Sequence, residues 1–446
     1  MRFLPHPDNF LISALHAGPM HDGESTHRTG PAPVPAFAPR PARRVPARST
    51  MALLSVSLCL LAGCGTGASD AKNPAGDPAK RPVHAAGAAT GPRLDLHATD
   101  GQEHVPVTTG GRVTVEGGTI TEVSLSTADG RAVPGERSPD RKSWAPSGDL
   151  KHGTAYRLTA VATDTEGHRV SRSVTFRTLA EADRFTGTYT PENGSTVGVG
   201  MPVSFTFDKP ITDKKAVESA IEVSADSGQT VVGHWFGGQR LDFRPREYWK
   251  SHSTVTVRIR LAGVKGAADA YGEQDRTLRF KVGRGQVSTV DAAAHTMKVV
   301  RDGTTVRNIP ITAGAASSPT WNGRMVISEK LISTRMNGAT VGYAGQYDIP
   351  DVPHAMRLST SGTFIHGNYW GADSVFGRSN ISHGCVGLND IKGGGDSGQD
   401  AAWFYDNSLI GDVVVVKNSD DKVIAPDNGL NGWNMPWSEW TAGSAR

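Results

Sequence analysis

Cysteine is scarce in this sequence, which has three in 446 residues: Cys59, Cys64 and Cys385. Two of them lie in one apolar segment near the N-terminus, so the rest of the chain has no pair from which to form an internal disulfide. No cluster of cysteine and histidine has the spacing of metal ligands. We therefore expect neither a metal nor any other cofactor.

An excess of charge of one sign is also missing. The formal net charge is only +3 for the whole chain, and no block of basic residues is interleaved with aromatic residues. Such a block is the usual electrostatic footprint of a nucleic-acid-binding protein. We therefore expect no nucleic-acid partner.

Long apolar runs are few, and the one near the N-terminus is short. Residues 1–50, rich in proline and arginine, are typical of a disordered extension. The run from Ala52 to Ala62 follows Met51 and several arginines, as in a secretory signal peptide, and is too short to span a bilayer of about 30 Å. The segment LAGC that ends at Cys64 resembles a bacterial lipobox, which implies lipidation of that cysteine. A cleaved signal peptide and a secreted protein are the alternative.

Composition and strand patterns divide the rest of the chain. We assign 1–64 to the extension and signal peptide, and 65–92, which is small, polar and proline-containing, to a flexible linker. Short runs of alternating apolar and polar residues, separated by glycine-containing turns, then predict two immunoglobulin-like sandwiches, at 93–179 and 180–283.

Aromatic residues that include Trp235 and Trp249 cluster in the second predicted sandwich. Packing in the core is the favoured role for them, and a glycan-binding surface is the alternative.

The region 284–418 opens with three β-type runs, the last two joined by an Asp-Gly hairpin turn. Residues 400–405 have a helical pattern, and 413–416 form an apolar run typical of a buried strand. The tail, 419–446, is predicted to be a small C-terminal subdomain. The fold class is therefore predicted to be mainly β and multidomain.

The most informative stretch contains Cys385, with His383 two residues before it and His366 upstream. A cysteine attacks acyl carbon as a thiolate, and a free thiol with a pKa of roughly 8.5 needs help from a nearby imidazole or from backbone amides. An isolated cysteine is more often a small buried apolar residue. Here the neighbours are polar and glycine-rich, and Gly384 allows the backbone to approach a substrate closely, which favours a reactive thiol.

The motifs His366-Gly367, Trp370 and Ser382-His383-Gly384-Cys385 resemble the signature of the L,D-transpeptidase (YkuD-type) catalytic domain. The aromatic segments WFYD at 403–406 and GWNMPW at 432–437 extend the resemblance to actinobacterial members that carry two immunoglobulin-like domains. Such proteins cross-link the stem peptides of peptidoglycan through a cysteine.

The resemblance implies a role for each of these residues. Cys385 would be the nucleophile, and the N–H groups of Gly384 and Cys385 would bind the oxyanion. His366 would be the general acid and base, with its second ring nitrogen held by the carbonyl of Gly367. His383 is the alternative base, because it is nearest in sequence. We expect the ring of His383 to point away from the thiol, so that His383 and Ser382 shape the loop instead.

The family's substrate-binding features are expected around this motif. Residues 328–350, which include Tyr347, would form a flap over the site. Tyr369 and Trp370 would line the pocket, with simple packing as an equal alternative, and Arg378 and Asn380 would touch substrate carboxylates. The substrate-binding candidates are therefore Tyr347, Tyr369, Trp370, Arg378 and Asn380.

One position departs from the family pattern. Many relatives have arginine, and some have asparagine, two residues after the cysteine, where this chain has Gly387. The three tail tryptophans, Trp433, Trp437 and Trp440, are expected to pack back against the catalytic domain.

The resemblance implies an enzyme that is anchored by lipid on the outer face of the cell membrane and forms 3→3 peptidoglycan cross-links. Carbapenems are the expected inhibitors. The sequence leaves an L,D-carboxypeptidase, or an enzyme that attaches proteins to the wall, as one alternative. A non-catalytic wall-binding lipoprotein is the other.

Overall fold

The structure is a computed structural model that describes residues 91–446. The predicted extension and signal peptide, almost all of the predicted linker, and Cys64 lie outside the described residues. In the described part of the chain, no helix is long and apolar enough to cross a membrane.

The first sandwich consists of two facing four-stranded sheets. Buried side chains alternate with solvent-facing ones along its strands: Tyr156, Leu158 and Ala160 are buried on one face of a single strand. The strands are β1 Arg93–Asp95, β2 Gln102–Val105, β3 Val113–Glu116, β4 Thr119–Thr127, β5 Gly135–Arg137, β6 Ser143–Pro146, β7 Ala155–Thr163 and β8 Arg169–Thr178. Their order is β1-β3-β6-β5 in one sheet and β2-β8-β7-β4 in the other.

The second sandwich repeats this plan with larger core residues. Its elements are β9 Arg184–Phe185, β10 Gly187–Thr190, β11 Thr196–Val197, β12 Val203–Phe207, α1 Lys214–Ser219, β13 Ile221–Ala225, β14 Val231–Phe236, β15 Arg240–Pro245, β16 Thr254–Arg260, β17 Lys265–Ala267, β18 Ala270–Gly272 and β19 Asp275–Val282. The main sheets run β10-β12-β15-β14 and β11-β19-β16-β13. Trp235 and Trp249 are buried between them, which confirms the prediction of core packing.

The third unit is organised around a nine-stranded curled sheet. Its elements are β20 Gln286–Asp291, β21 Thr296–Arg301, β22 Thr304–Thr312, β23 Gly323–Val326, β24 Glu329–Asn337, β25 Asp348–Arg357, β26 Phe364–Asn368, β27 Val386–Asn389, α2 Asp400–Asp406, β28 Val413–Lys417 and α3 Trp437–Ala442. The strand order is β23-β28-β20-β21-β22-β27-β26-β25-β24. Short 3-10 turns lie at Glu181–Asp183, Gly338–Val341, Asp373–Val375 and Gly432–Asn434.

The prediction of a mainly β, multidomain chain is confirmed. The expected opening hairpins are present as β20, β21 and β22, and the expected helix as α2. Strand β28 lies between β20 and β23 and is buried on both faces for most of its length, which explains its continuous run of valines.

The junction between the second and third units requires close backbone contact. The N–H groups of Gly198 and Gly200 donate to the carbonyls of Ile410 and Gly411 at 2.8 and 2.9 Å. A Cβ on Gly198 would lie 2.2 Å from the backbone nitrogen of Asp412, so only glycine fits there. The two units therefore pack backbone against backbone.

The C-terminal tail lies mainly on the second sandwich. Trp440 is fully buried, its Nε1–H donates to the Val232 carbonyl at 3.0 Å, and its ring stacks on His234 at 4.8 Å. Trp433 donates to the Gly200 carbonyl at 2.7 Å and lies at the junction of the two units. The expectation that the tail packs on the catalytic domain is correct in part for Trp433 and wrong for Trp440.

Arg244 of the second sandwich explains where the tail lies. Its guanidinium is 4.7, 5.3 and 4.2 Å from the ring centres of Trp433, Trp437 and Trp440. It also donates to two tail carbonyls, and burial lowers the pKa of Arg244 to about 10. A buried cation needs such partners, and a cation–π contact of this kind contributes roughly 2 kcal/mol when it is desolvated.

Candidate active site

Two adjacent parallel strands bring together the residues that lie far apart in the motif. Strand β26 pairs with β27 so that His366 is opposite Gly387. Paired residues of neighbouring strands point to the same face of a sheet, and so do residues i and i+2 of one strand. Cys385 comes directly before β27, in the turn that enters this strand, and both His366 and Cys385 line one cavity.

The hydrogen bond at Nδ1 sets the protonation pattern of His366. Nδ1 lies 2.9 Å from the Gly367 carbonyl oxygen, which can only accept, so Nδ1 carries the proton. In the neutral ring Nε2 is then the unprotonated nitrogen. Burial lowers the pKa of His366 below its ordinary value, whereas the Gly367 carbonyl and the charge of Asp390 act in the opposite direction. At neutral pH the ring is a neutral base.

The thiol of Cys385 is also uncharged at rest. The residue is partly exposed, and its Sγ donates to the Gly362 carbonyl at 3.6 Å. Burial raises the pKa of Cys385 to about 11, and the backbone N–H of Phe364 opposes this only weakly. Since both partners are neutral, the site holds a thiol beside a free base and not a thiolate beside an imidazolium.

A buried hydrogen bond between Asp390 and His354 lies behind Gly367 of β26. Asp390 and His354 are both buried and lie 2.7 Å apart, measured from Oδ2 to Nδ1. A Cβ at position 367 would lie 2.1 Å from the same Oδ2, so Gly367 must be glycine for the carboxylate to lie there. Sequence reasoning missed this pair. The available signal was an acidic residue directly after the strand that follows the cysteine.

The turn before Cys385 is held by its own serine. Ser382 Oγ donates to the Cys385 carbonyl at 2.6 Å and accepts from the Gly384 N–H at 3.2 Å. The Ser382 backbone is tied to Ala313 and Ala315. Gly384 has φ +110°, a left-handed value that a side chain would strain. These contacts agree with the loop-shaping position expected for Ser382.

His383 points toward the flap. Its ring centre is 5.4 Å from that of Tyr343 and 4.9 Å from that of Tyr347, both in the loop that joins β24 to β25. Met336, at the end of β24, lines the same space as Tyr347. The predicted flap residues therefore cover the thiol, and His383 contacts them instead of the base.

Three cavities surround the thiol and the turn before it. The first, which we call the histidine cavity, has a volume of about 360 Å³ and is lined by residues that include His366, Asn368, Trp370, Tyr347 and Cys385. The second, of about 340 Å³, also reaches Cys385 and contains Arg335 and Arg357; we call it the arginine cavity. A third, of about 190 Å³, lies beside His383, Gly384 and Asp421.

The structure distributes the predicted pocket residues unevenly. Trp370 lines the histidine cavity, is 43% exposed and stacks on His366 with ring centres 5.7 Å apart. Tyr369 does not line any of the three cavities around the turn. Its hydroxyl is bonded to Asp351, and its ring meets that of Trp370 edge-on at 5.0 Å. The side chain packs against Trp370 and does not line these cavities, which agrees with the packing alternative given for Tyr369.

Arg378 and Asn380, the other predicted substrate contacts, do not line the three cavities. Arg378 is exposed and lies outside the three cavities. Asn380 acts as a structural bridge: its Oδ1 accepts from the Ala313 N–H at 2.9 Å and lies 3.0 Å from Nδ1 of His295, and its Nδ2 donates to the Ala292 carbonyl at 2.9 Å. These bonds tie strand ends together and account for the position of the side chain.

Gly387 is enclosed by two neighbouring strands. A Cβ there would lie 2.9 Å from the Thr312 methyl group and 3.4 Å from both Cβ and Nδ2 of Asn368. A larger side chain therefore does not fit unless these neighbours move. Sequence reasoning identified the departure at Gly387 but missed Asn368, which occupies the adjoining space. Among residues 91–446, no group of three or more His, Cys, Asp or Glu side chains is arranged to hold a metal ion.

The chain is similar to known proteins over most of its length. The family model described as the L,D-transpeptidase catalytic domain matches residues 285–416, and that of a bacterial Ig domain matches residues 102–265. L,D-transpeptidase 2 of Mycobacterium tuberculosis is 31% identical over 360 residues, which are 80% of this chain and 85% of the relative. L,D-transpeptidase 5 of the same species is 31% identical over 363 residues, or 79% and 77% of the two chains.

A solved structure is also similar. It is described as LD transpeptidase LdtMt1 in complex with imipenem, and it is 30% identical, covers 52% of this chain and 97% of its own, and has a TM-score of 0.44.

The pKa values predict how the thiol reacts with a small alkylating agent. Alkylation of Cys385 by iodoacetamide should accelerate about tenfold per pH unit from pH 7 to 9, because the thiolate fraction grows at that rate below a pKa of about 11. Mass spectrometry of the Cys385 peptide over time measures this rate. The curve should be the same in His366→Gln, since a neutral ring adds no charge. A plateau below pH 8 would show a resting thiolate–imidazolium pair and contradict this description.

Proposed function

Because the chain belongs to the L,D-transpeptidase family, we propose that it forms 3→3 cross-links between peptidoglycan stem peptides through a thioester on Cys385. One observation carries the proposal: Cys385, directly before β27, and His366, on the adjacent strand β26 with its Nε2 unprotonated, line the same cavity. A nucleophile with a base oriented by a third group is the arrangement that acyl transfer requires.

The first half of the reaction consumes a donor tetrapeptide. Cys385 Sγ attacks the carbonyl carbon between the third residue, a diamino acid, and the terminal D-alanine, while the thiol proton passes to Nε2 of His366. The C–N bond then breaks, and the same proton moves from Nε2 to the departing D-alanine amine. A thioester remains on Cys385, and the histidine is neutral again.

A resting state in which the Cys385 thiol and the His366 imidazole are both neutral suits this order of reaction steps. A thiol whose pKa is about 11 is not ionised at pH 7, so the proton leaves as the substrate carbonyl is attacked. Burial lowers the pKa of His366, so the imidazolium formed readily gives its proton to the leaving amine. The bond from Nδ1 to Gly367 keeps Nε2 directed at the cavity throughout.

Backbone amides of the turn would stabilise the oxyanion. The N–H groups of Gly384 and Cys385 are the proposed donors, and one such donor typically contributes about 2.7 to 4 kcal/mol. The Gly384 N–H already donates to Ser382 Oγ at 3.2 Å, so an oxyanion would have to share or replace this bond, which a charged acceptor favours.

The second half transfers the acyl group to an acceptor stem. The side-chain amine of an acceptor diamino acid attacks the thioester carbonyl and gives its proton to Nε2 of His366. The C–S bond breaks, the proton returns to Sγ, and an amide joins the two stems. The tyrosines above the loop, Tyr343 and Tyr347, would limit the access of water to the thioester, which favours transfer to the amine over hydrolysis.

The test is to incubate the purified protein with stem tetrapeptides that contain either meso-diaminopimelate or lysine. We expect D-alanine release and dimers with one D-alanine fewer than two tetrapeptides, joined between their third residues, as tandem mass spectrometry would show. Cys385→Ala should form none, and His366→Gln should lower the rate by about 10²- to 10⁴-fold, because general-base help is lost. His168→Gln, an exposed histidine of the first sandwich, is the matched control.

Two outcomes would contradict the proposal. Tripeptide monomers without dimers would identify an L,D-carboxypeptidase instead, since water would then be the acceptor. Absence of any product from the folded protein with either tetrapeptide would favour a non-catalytic wall-binding protein.

We also propose that lipid on Cys64 anchors the protein on the outer face of the cell membrane. The lipobox-like segment before Cys64 supports this. Each buried methylene of an acyl chain contributes about 0.8 kcal/mol, so two or three chains hold a protein stably on a membrane. Labelling cells with a radioactive fatty acid should mark the wild type and leave Cys64→Ser unlabelled and released. Equal labelling or equal membrane association of the variant would overturn the anchor.

A further inference from the structure

We propose that the side-chain amide of Asn368 binds the terminal carboxylate of the donor's D-alanine, and thereby selects stems that end one residue beyond the bond that is cleaved. This inference rests on the proposed function and extends it to substrate selection. It is carried by a buried amide group that lines the histidine cavity and has no bonding partner for its N–H hydrogens.

The position of Asn368 is determined by the same strand that carries the base. Asn368 lies two residues after His366 on β26, so the two side chains share one face of the sheet. Asn368 is only 3% exposed, and its side chain lines the histidine cavity together with His366 and Cys385. It is therefore a neighbour of the reacting groups and not a surface residue.

The orientation of the amide is fixed by the loop that follows. Oδ1 accepts hydrogen bonds from the backbone N–H groups of Trp370 and Gly371, at 3.2 and 2.9 Å. Because an amide nitrogen cannot accept these bonds, Nδ2 must occupy the other position. Nδ2 makes no hydrogen bond with any residue of the described range 91–446. Nδ2 is not a fully enclosed atom, so its N–H groups are open to a ligand or to water in the cavity.

Gly387 provides the space for this amide. A Cβ at position 387 would lie 3.4 Å from Nδ2 of Asn368 and 2.9 Å from the Thr312 methyl group. A side chain at 387 would therefore compete with Asn368 for the same volume.

The distance from the amine to the carboxylate of D-alanine is compatible with the spacing between His366 and Asn368 on β26. Side chains two residues apart are about 6.6 Å apart along a strand. A leaving amine that accepts the proton of His366 lies about 3 Å from Nε2. Within one amino acid the carboxyl carbon is about 2.5 Å from that nitrogen, so its oxygens lie near the amide of Asn368. A stem with a further residue would place a peptide bond there instead of a charge.

The charges around the thiol are consistent with this assignment. No lysine or arginine lines the histidine cavity in the described structure. The two arginines of the arginine cavity already have carboxylate partners: Arg335 pairs with Asp348, and Arg357 pairs with Glu329 at 2.8 Å. A neutral amide donor is therefore the group positioned for the carboxylate next to the base.

The test compares two donors on the full chain: a stem tetrapeptide with a free D-alanine carboxylate and the same peptide ending in D-alaninamide. Release of D-alanine or D-alaninamide is followed by mass spectrometry to obtain kcat/KM. For the wild type we expect the acid to be preferred by about 10- to 100-fold, the usual effect of one hydrogen bond to a charged group. This comparison needs no substitution and does not depend on the folding of a variant.

Two variants then separate substrate binding from loop support. Asn368→Asp keeps the oxygen that holds the Trp370 loop but has no N–H, so its acid-to-amide ratio should fall below one, because a carboxylate repels the acid and accepts from the amide. Asn368→Ala should bring the ratio to about one. Asn308→Asp, an exposed asparagine on β22, is the matched control for added charge and should keep the wild-type ratio.

The outcomes distinguish this inference from the proposed function. If the wild type releases product from neither donor, the proposed function is wrong and the inference is wrong with it. If the wild type is active but shows no preference for the acid, or if the ratio is unchanged in Asn368→Asp and Asn368→Ala, only the role of Asn368 is overturned. Equal losses with both donors would show that Asn368 merely holds the loop.

Discussion

The parallel pairing of β26 and β27 is the constraint on which the candidate site depends. The two strands come from either side of a loop of 17 residues, between Asn368 and Val386, and their register places His366 opposite Gly387. A shift of one residue would turn His366 to the other face of the sheet, away from Cys385. The strands on either side, β22 and β25, hold this pair in the interior of the nine-stranded sheet, where slippage is strongly opposed.

Close packing around strands β26 and β27 restricts which residues fit at positions 367 and 387. Gly367 is glycine because Asp390 occupies the volume behind it, and Gly387 borders the amide of Asn368. Burial keeps both the thiol and the imidazole uncharged, so the site stores no ion pair at rest. The proposed chemistry follows from that state: charge appears only when a substrate carbonyl is attacked, at the position where backbone amides of the turn can meet it.

The second sandwich and the C-terminal tail both pack at the junction with the catalytic unit. The second sandwich contacts the catalytic unit through Gly198 and Gly200, and the tail tryptophans enclose Arg244 of that sandwich. The tail thus belongs to two units at once.

Much of this could be predicted from the sequence. Alternating strands, the hairpin turns and the motif around Cys385 carry local signals, and they predicted the fold class and the pairing of thiol and imidazole. Contacts between distant segments carry no such signal. From the sequence alone, Asn380 resembles a substrate-binding residue, whereas the structure shows it bonded to three other residues. The positions of Asp390 and Asn368, and the packing of the tail tryptophans around Arg244, depend on strand register and tertiary packing that no short motif encodes.

The central claim is that Cys385 is a nucleophile in an acyl-transfer pocket, and intact-protein mass spectrometry after incubation with imipenem tests it most directly. A carbapenem ring offers an activated acyl carbon that a positioned thiol opens without needing an acceptor. The account predicts a mass gain of one imipenem on the wild type and none on Cys385→Ala. A folded wild-type protein that shows no adduct, or an adduct that persists in Cys385→Ala, would contradict it.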